Sequence, residues 1–166
     1  EQFGSHTTGN ATLGYRFNDA VQSYLSYGTA FKAPTFNDLY WPGSESPNLV
    51  PEESQNYEIG LKGQMNSVNW ELNGFHNEID NMIAWAEAPI PSDPYRWAPS
   101  NVEKAKIKGV EFSLMQQVNN FNWSMNYTYQ DPKNESTVNQ GKQLLLRAKQ
   151  LFNFSADYTL DKWTLG

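Results

Sequence analysis

The chain has 166 residues and a formal net charge of −6, with a pI of about 4.8, which argues against a nucleic-acid backbone as partner. It has no cysteine, so disulfides, thiolate metal sites and a cysteine nucleophile are excluded. Its longest apolar run is too short for a transmembrane helix.

Seven segments alternate apolar and polar residues with period two. The first predicted strand covers residues 7–17, with Ala11, Leu13, Tyr15 and Phe17 on one face. The turn Asn18-Asp19-Ala20 follows; Asn and Asp suit it because they tolerate left-handed backbone and bond locally. The second strand covers 21–31, with Val21, Leu25, Tyr27 and Phe31 on one side. Residues 32–53 carry Pro34, Pro42, Gly43, Pro47 and Pro51, and prolines at this density exclude a central strand. The third strand, 55–63, sets Tyr57, Ile59 and Leu61 against Glu58, Gly60 and Lys62, and a short turn falls at Met65-Asn66-Ser67.

The fourth strand starts at Val68 with Trp70 and Leu72 on the apolar side and runs to Trp85; its phase blurs at Gly74-Phe75, which reads as a β-bulge. A second long connector, 86–100, holds Pro89, Pro91, Pro94 and Pro99. The fifth strand, 102–115, places Val110, Phe112 and Leu114 outward and Gly109, Glu111 and Ser113 inward, and a turn spans 117–120. The sixth, 121–129, alternates Trp123, Met125, Tyr127 and Tyr129 with Asn122, Ser124, Asn126 and Thr128. After a third long connector, 131–144, the seventh strand, 152–160, alternates Phe152, Phe154, Ala156, Tyr158 and Leu160 with Asn153, Ser155, Asp157 and Thr159. A turn at Asp161-Lys162 leads into an eighth strand at Trp163.

The connectors run short, long, short, long, short, long, short. A membrane-spanning β-barrel has that alternation, with tight periplasmic turns on one side and long extracellular loops on the other. Strands of about 10 residues with apolar-out, polar-in alternation carry the same signature. Aromatics form 14% of the chain, which suits girdles at two membrane interfaces. A mean hydropathy of −0.69 is compatible, because only every second strand residue need be apolar. The expected fold is therefore all-β: an antiparallel meander of seven to eight strands forming one sector of a large transmembrane barrel. The chain starts at Glu1 without an initiator Met and stops just inside a strand, so both ends read as cuts in a longer protein.

Three motifs then resemble one family. Tyr27-Gly28-Thr29-Ala30-Phe31-Lys32-Ala33-Pro34 resembles the strand-to-loop passage of TonB-dependent outer-membrane receptors. Pro47-Asn48-Leu49-Val50-Pro51-Glu52, followed by Ser54, Tyr57, Glu58 and Gly60, resembles the run after it, and Asn101 to Lys108 with Gly109-Val110-Glu111 resembles a third barrel strand. Within the family the resemblance is greatest to cobalamin (vitamin B12) transporters, through those segments and Leu144-Leu145-Leu146-Arg147-Ala148-Lys149-Gln150. The resemblance implies a barrel of about 22 strands with a plugged lumen. It implies location in the outer membrane of a Gram-negative bacterium, with outer-membrane lipid, a plug domain of the same full-length chain, TonB acting through that plug, and a small-molecule ligand as partners. The ligand would be cobalamin or a siderophore, imported actively without bond chemistry. Residues 1–166 would be part of the barrel domain, lacking the plug and the C-terminal strands. The calcium-binding acidic loops of cobalamin transporters have no counterpart here, and neither a cofactor nor a metal is expected.

Candidate ligand contacts lie in the long loops: Tyr40, Trp41, Trp85, Tyr95, Arg96, Trp97 and Arg147. Flat rings beside an Arg can stack on a large planar ligand such as a corrin. The alternative is that they form the outer girdle or pack loop on loop, and Arg147 is as well suited to a structural role facing the lumen. Glu58 and Glu111 could be read as a carboxylate pair for glycoside hydrolysis, but wall carboxylates bonding to a plug or to Lys62, Arg147 and Lys149 account for them better. His6 and His76, 70 positions apart, lack metal-site spacing. No catalytic residue and no enzyme activity are expected. The rival from a different class is a soluble β-sandwich that binds carbohydrate through exposed aromatics, whose outward face would instead be a dry core between two sheets.

Overall fold

A computed structural model describes residues 3–166. Eight strands form one antiparallel sheet whose spatial order equals chain order. They are β1 (Asn10–Arg16), β2 (Val21–Lys32), β3 (Glu52–Met65), β4 (Val68–Glu87), β5 (Trp97–Val118), β6 (Phe121–Asn134), β7 (Gln150–Leu160) and β8 (Trp163–Leu165). A five-residue helix, α1 (Phe36–Tyr40), lies between β2 and β3. We name the long connectors L1 (33–51), L2 (88–96) and L3 (135–149). No second sheet packs on the first among the described residues, so the sandwich reading fails.

The turns at the opposite end are tight for a visible reason. Asn66, Asn119 and Asp161 each open a two-residue turn with φ between 52° and 54°, the left-handed backbone that short hairpins need and that Asn and Asp tolerate best. In the remaining turn Asn18 Oδ1 accepts from the N–H groups of Ala20 and Val21, both at 2.9 Å.

Register then carries each face across the sheet. Leu13, Leu25, Ile59, Gly74, Val110 and Tyr129 are successive cross-strand partners, as are Leu61, Leu72, Phe112, Tyr127 and Phe152. Among the described residues nothing covers this face. Leu13 is 75% exposed, Ile59 64% and Phe154 60%, while Phe112 and Trp123 are half-buried only by their neighbours on the sheet. An apolar surface this extended belongs against another apolar medium. The opposite face is polar: Thr12, Ser26 and Glu58 share one row, and Asn73, Glu111 and Thr128 another.

The apolar face ends abruptly toward the long loops. Above Gly74 and Val110 the same side of β4 and β5 carries His76, Glu78, Lys108, Lys106 and Lys104. Glu78 gathers Lys104, Lys106 and His76 at 3.2 Å each. This charged collar marks where the wall meets water.

Two expectations need correction. The ladder is continuous through Gly74-Phe75, with both residues paired on either side. The blurred phase there arises because Phe75 faces the polar side, where its ring lies on Gly109. The irregularity is at Asn81, whose φ of 55° falls just past Asp80, where the β3 pairing stops, while the register with β5 is the same on either side of it. That one left-handed residue reverses the alternation, so Ile79 and Met82, three apart, enter the same buried cluster with Ala105, Ile107 and Leu144.

The second correction concerns length. β4 and β5 have 20 and 22 residues, against the 9–11 or so that a tilted strand needs to cross a bilayer. Their hairpin runs on to the pair Glu87 and Trp97 and takes in Pro99 opposite Trp85. Proline is tolerated because β6 joins β5 only from Ala105 onward, leaving residues 97–104 on an edge. Likewise β6 includes Pro132, fully buried, because β7 has left its other side at Tyr129.

A Cβ at Gly109 would strike the Tyr129 carbonyl oxygen and the Phe75 ring, whereas one at Gly74 meets nothing nearer than 3.9 Å. Gly109→Ala should therefore cost about 1–3 kcal/mol of unfolding free energy in the full-length barrel. Gly74→Ala should cost less than about 0.5 kcal/mol. Urea unfolding in lipid compares the two.

Candidate functional site

The long loops share one end of the sheet, and L1 and L2 are bound to each other there. L1 starts with α1, whose Thr35 N-cap hydroxyl accepts from the Asp38 N–H while the Asp38 carboxylate takes the Thr35 N–H. This capping box holds a helix too short to persist alone. Leu39 and Leu49 are buried beneath it. The Asp38 carboxylate is also hydrogen-bonded by the Trp85 side chain. Burial pushes the Asp38 carboxyl up, but Thr35, Trp85 and the nearby Lys32 cation together hold it below its ordinary value.

Further along, the Arg96 guanidinium donates to three carbonyls: Gly43 at 2.8 Å, Glu45 at 3.3 Å and Ala88 at 3.4 Å. The Ser44 hydroxyl donates to the Trp97 carbonyl. At the base of L1 the Asn101 side chain spans to Val50, accepting its N–H and donating to its C=O, both at 2.9 Å, and donates to the Asn81 carbonyl at 2.6 Å. Glu52 accepts from the Ile83 N–H at 3.0 Å and the Lys32 ammonium at 2.9 Å. Ile83 has lost its ladder partner on the β3 side, because that pairing stops at Asp80.

Six of the seven residues singled out from sequence are therefore gathered on the joined L1–L2 unit. Tyr40 and Trp41 are exposed at the end of α1, with Tyr40 5.2 Å from Phe36 ring to ring. Tyr95 is 88% exposed at the tip of L2. Trp97, expected in a loop, opens β5, and Trp85 sits within β4, its side chain on Asp38. Arg96 lies between L1 and L2 with its donors turned to backbone carbonyls. Arg147 stands apart at the end of L3, exposed, with its carbonyl accepting from Gln143 at 3.1 Å.

L3 folds over the polar face and leaves a groove of about 550 Å³ between itself and the β4–β5 hairpin, lined in part by Trp85, Val102, Ser136 and Leu144. Its chain runs beside β6, with the Leu144 N–H on the Pro132 carbonyl. Further down, the Tyr24 hydroxyl donates to Glu71 at 2.8 Å and Thr128 to Glu111 at 3.1 Å, while Glu58 accepts from Asn56 at 2.7 Å. Neither Glu58 nor Glu111 has an ion pair among the described residues. His6 pairs with Glu53 at 3.0 Å and stacks on Phe31. No group of three metal-ligating side chains occurs among the described residues.

An open two-faced wall with loops at one end and tight turns at the other is the architecture of an outer-membrane β-barrel sector. Residues 1–166 match the family described as TonB dependent receptor-like, β-barrel. The chain belongs to that family. It is 36% identical over 165 residues to the vitamin B12 transporter BtuB of Photobacterium profundum, covering 99% of this chain and 27% of that protein. It is 38% identical over 162 residues to BtuB of Vibrio vulnificus, covering 97% and 25%. Among solved structures it resembles the copper transporter OprC, with a TM-score of 0.71 and 18% identity over 95% of this chain and 25% of that one. It also resembles the siderophore receptor PirA of Acinetobacter baumannii, with a TM-score of 0.65 and 21% identity over 93% and 27%. The chain thus spans about a quarter of the relatives it matches.

Because Asp38 is held below its ordinary value of 3.8, the ionised carboxylate stabilises the L1 fold fully above that pH and loses its effect as pH falls through the lowered value. Hydrogen exchange over residues 36–41 of the full-length protein should be slow at pH 7 and lose protection, after correction for intrinsic rates, below about pH 4. Asp38→Asn should abolish that dependence and cost about 0.5–1 kcal/mol of local protection. A pH profile identical in the variant would contradict this role.

Proposed function

We propose that the full-length protein is an active transporter of the Gram-negative outer membrane, energised through TonB acting on a plug domain, and that its ligand is cobalamin. This chain contributes barrel wall and extracellular loops. The observation that carries the ligand reading is identity of 36–38% sustained over 97–99% of the chain, loops included, with two proteins named as vitamin B12 transporters. The siderophore receptors among the structural neighbours share the fold at lower identity.

Transport here makes and breaks no covalent bond. The wall is a rigid sleeve, the loops capture the ligand, and the lumen holds it until the plug is moved. Tyr40, Trp41, Tyr95 and Trp97 present accessible rings at the capture end. Rings supply large apolar contact with little rotamer entropy to lose, which suits a broad, flat ligand. Arg147 is exposed at the end of L3 and can donate to amide or phosphate oxygens. Trp85 and Arg96 support the others by fastening L1 to L2.

Equilibrium binding to the purified full-length receptor tests this directly. Cyanocobalamin should bind, and the double variant Tyr40→Ala, Trp41→Ala should weaken binding by about five- to tenfold. Uptake into cells should require TonB. Binding of a ferric siderophore with none of cobalamin would replace the ligand assignment while leaving the wall intact.

A further inference from the structure

We infer that Asn101 is a positioning residue that locks L1 onto the β4–β5 hairpin, so that rings from both present one fixed recognition surface. The assignment of that surface to cobalamin rests on the function proposed above; the lock itself does not.

The geometry begins with Asn81. It has left-handed backbone and lies just past Asp80, where the β3–β4 pairing stops. Its carbonyl accepts from Asn101 Nδ2 at 2.6 Å. The same nitrogen donates to the Val50 carbonyl at 2.9 Å, and Asn101 Oδ1 accepts the Val50 N–H at 2.9 Å. The side-chain amide therefore imitates a neighbouring strand, satisfying both backbone groups of one loop residue while bonding a β4 carbonyl beyond the end of the β3 pairing. Only Asn has this reach and this donor–acceptor set: Asp lacks the donors, Leu lacks both, and Gln is one methylene longer.

Two sequence motifs are joined by this contact, since Val50 lies in Pro47-Asn48-Leu49-Val50-Pro51 and Asn101 opens the segment leading to Gly109-Val110-Glu111. Leu49, next to the contact, is buried. L1 is fastened again near its middle, by Arg96 on Gly43 and Glu45 and by Ser44 on Trp97. Tied at both points, L1 cannot swing separately from the hairpin. Tyr40 and Trp41 therefore keep a fixed relation to Trp97, and a ligand that touches all three does not bear the cost of ordering L1.

The test uses the full-length receptor with Asn101→Ala and the isosteric Asn101→Asp. Hydrogen exchange over residues 46–50 should accelerate on the order of tenfold or more in both, as buried hydrogen bonds are lost. Asp should be at least as disruptive as Ala, because it sets a carboxylate against two carbonyl oxygens. Cyanocobalamin affinity should fall about five- to tenfold, while TonB-dependent uptake at saturating ligand stays unchanged, since the lock positions and does not transport. Wild-type exchange in Asn101→Asp would overturn the lock. Accelerated exchange with undiminished affinity would overturn its role in positioning. A wild-type receptor that binds no cobalamin would sink the ligand reading alone, leaving the exchange result to judge the lock.

Discussion

Hydrocarbon offers a peptide group no hydrogen-bond partner, and the rest of this structure depends on that. Every N–H and C=O at membrane depth must be paired within the protein, which a closed sheet of neighbouring strands achieves. The strict meander follows, because neighbours in sequence that are neighbours in space leave no crossover chain to bury. Two faces with opposite chemistry follow as well. Period-two alternation sends Leu25, Ile59, Val110 and Tyr129 to one side and Ser26, Glu58, Glu111 and Thr128 to the other. What would be a core in a soluble sheet is here the outer surface.

Beyond the charged collar around Glu78 the constraint lifts and the architecture loosens. Water can satisfy backbone groups, so prolines enter strands, Asn81 takes a left-handed backbone, and side chains take over pairing. Glu52 receives the Ile83 N–H and Asn101 receives Val50. The polar-face rule lapses too: Ile79, Ala105 and Ile107 line that side and are covered by Leu144 from L3. The loops are thus built onto the wall by specific polar contacts, in the region where the membrane no longer dictates sequence.

That division explains how much was legible. The alternation in residues 121–129 and 152–160 is imposed by the bilayer, so it is written in the sequence, and the turns at Asn66, Asn119 and Asp161 sit where their chemistry requires. Lengths were not legible, because Pro99 and Pro132 signal loops unless the edge they occupy is known. Phe75 misled the phase, since an aromatic on the wet side looks like a register error until its ring is seen over Gly109. The aromatics at Tyr40, Trp41 and Trp97 could be picked out singly, and so could Arg96. Asn101, Ser44 and Glu52 could not, because common polar residues carry no local signal and gain meaning only from partners about 30 to 50 positions away.

The claim beneath all of this is that the aromatic side of the sheet touches lipid. In the full-length barrel, with any cysteine outside this cysteine-free chain replaced, single cysteines at successive positions from Phe121 to Tyr129 can each carry a spin label. Collision with oxygen dissolved in the bilayer, against a water-soluble nickel chelate, reads the medium at each site. Labels at 123, 125, 127 and 129 should favour oxygen, and those at 122, 124, 126 and 128 the chelate. A profile without that alternation, or with its phase inverted, would contradict the account.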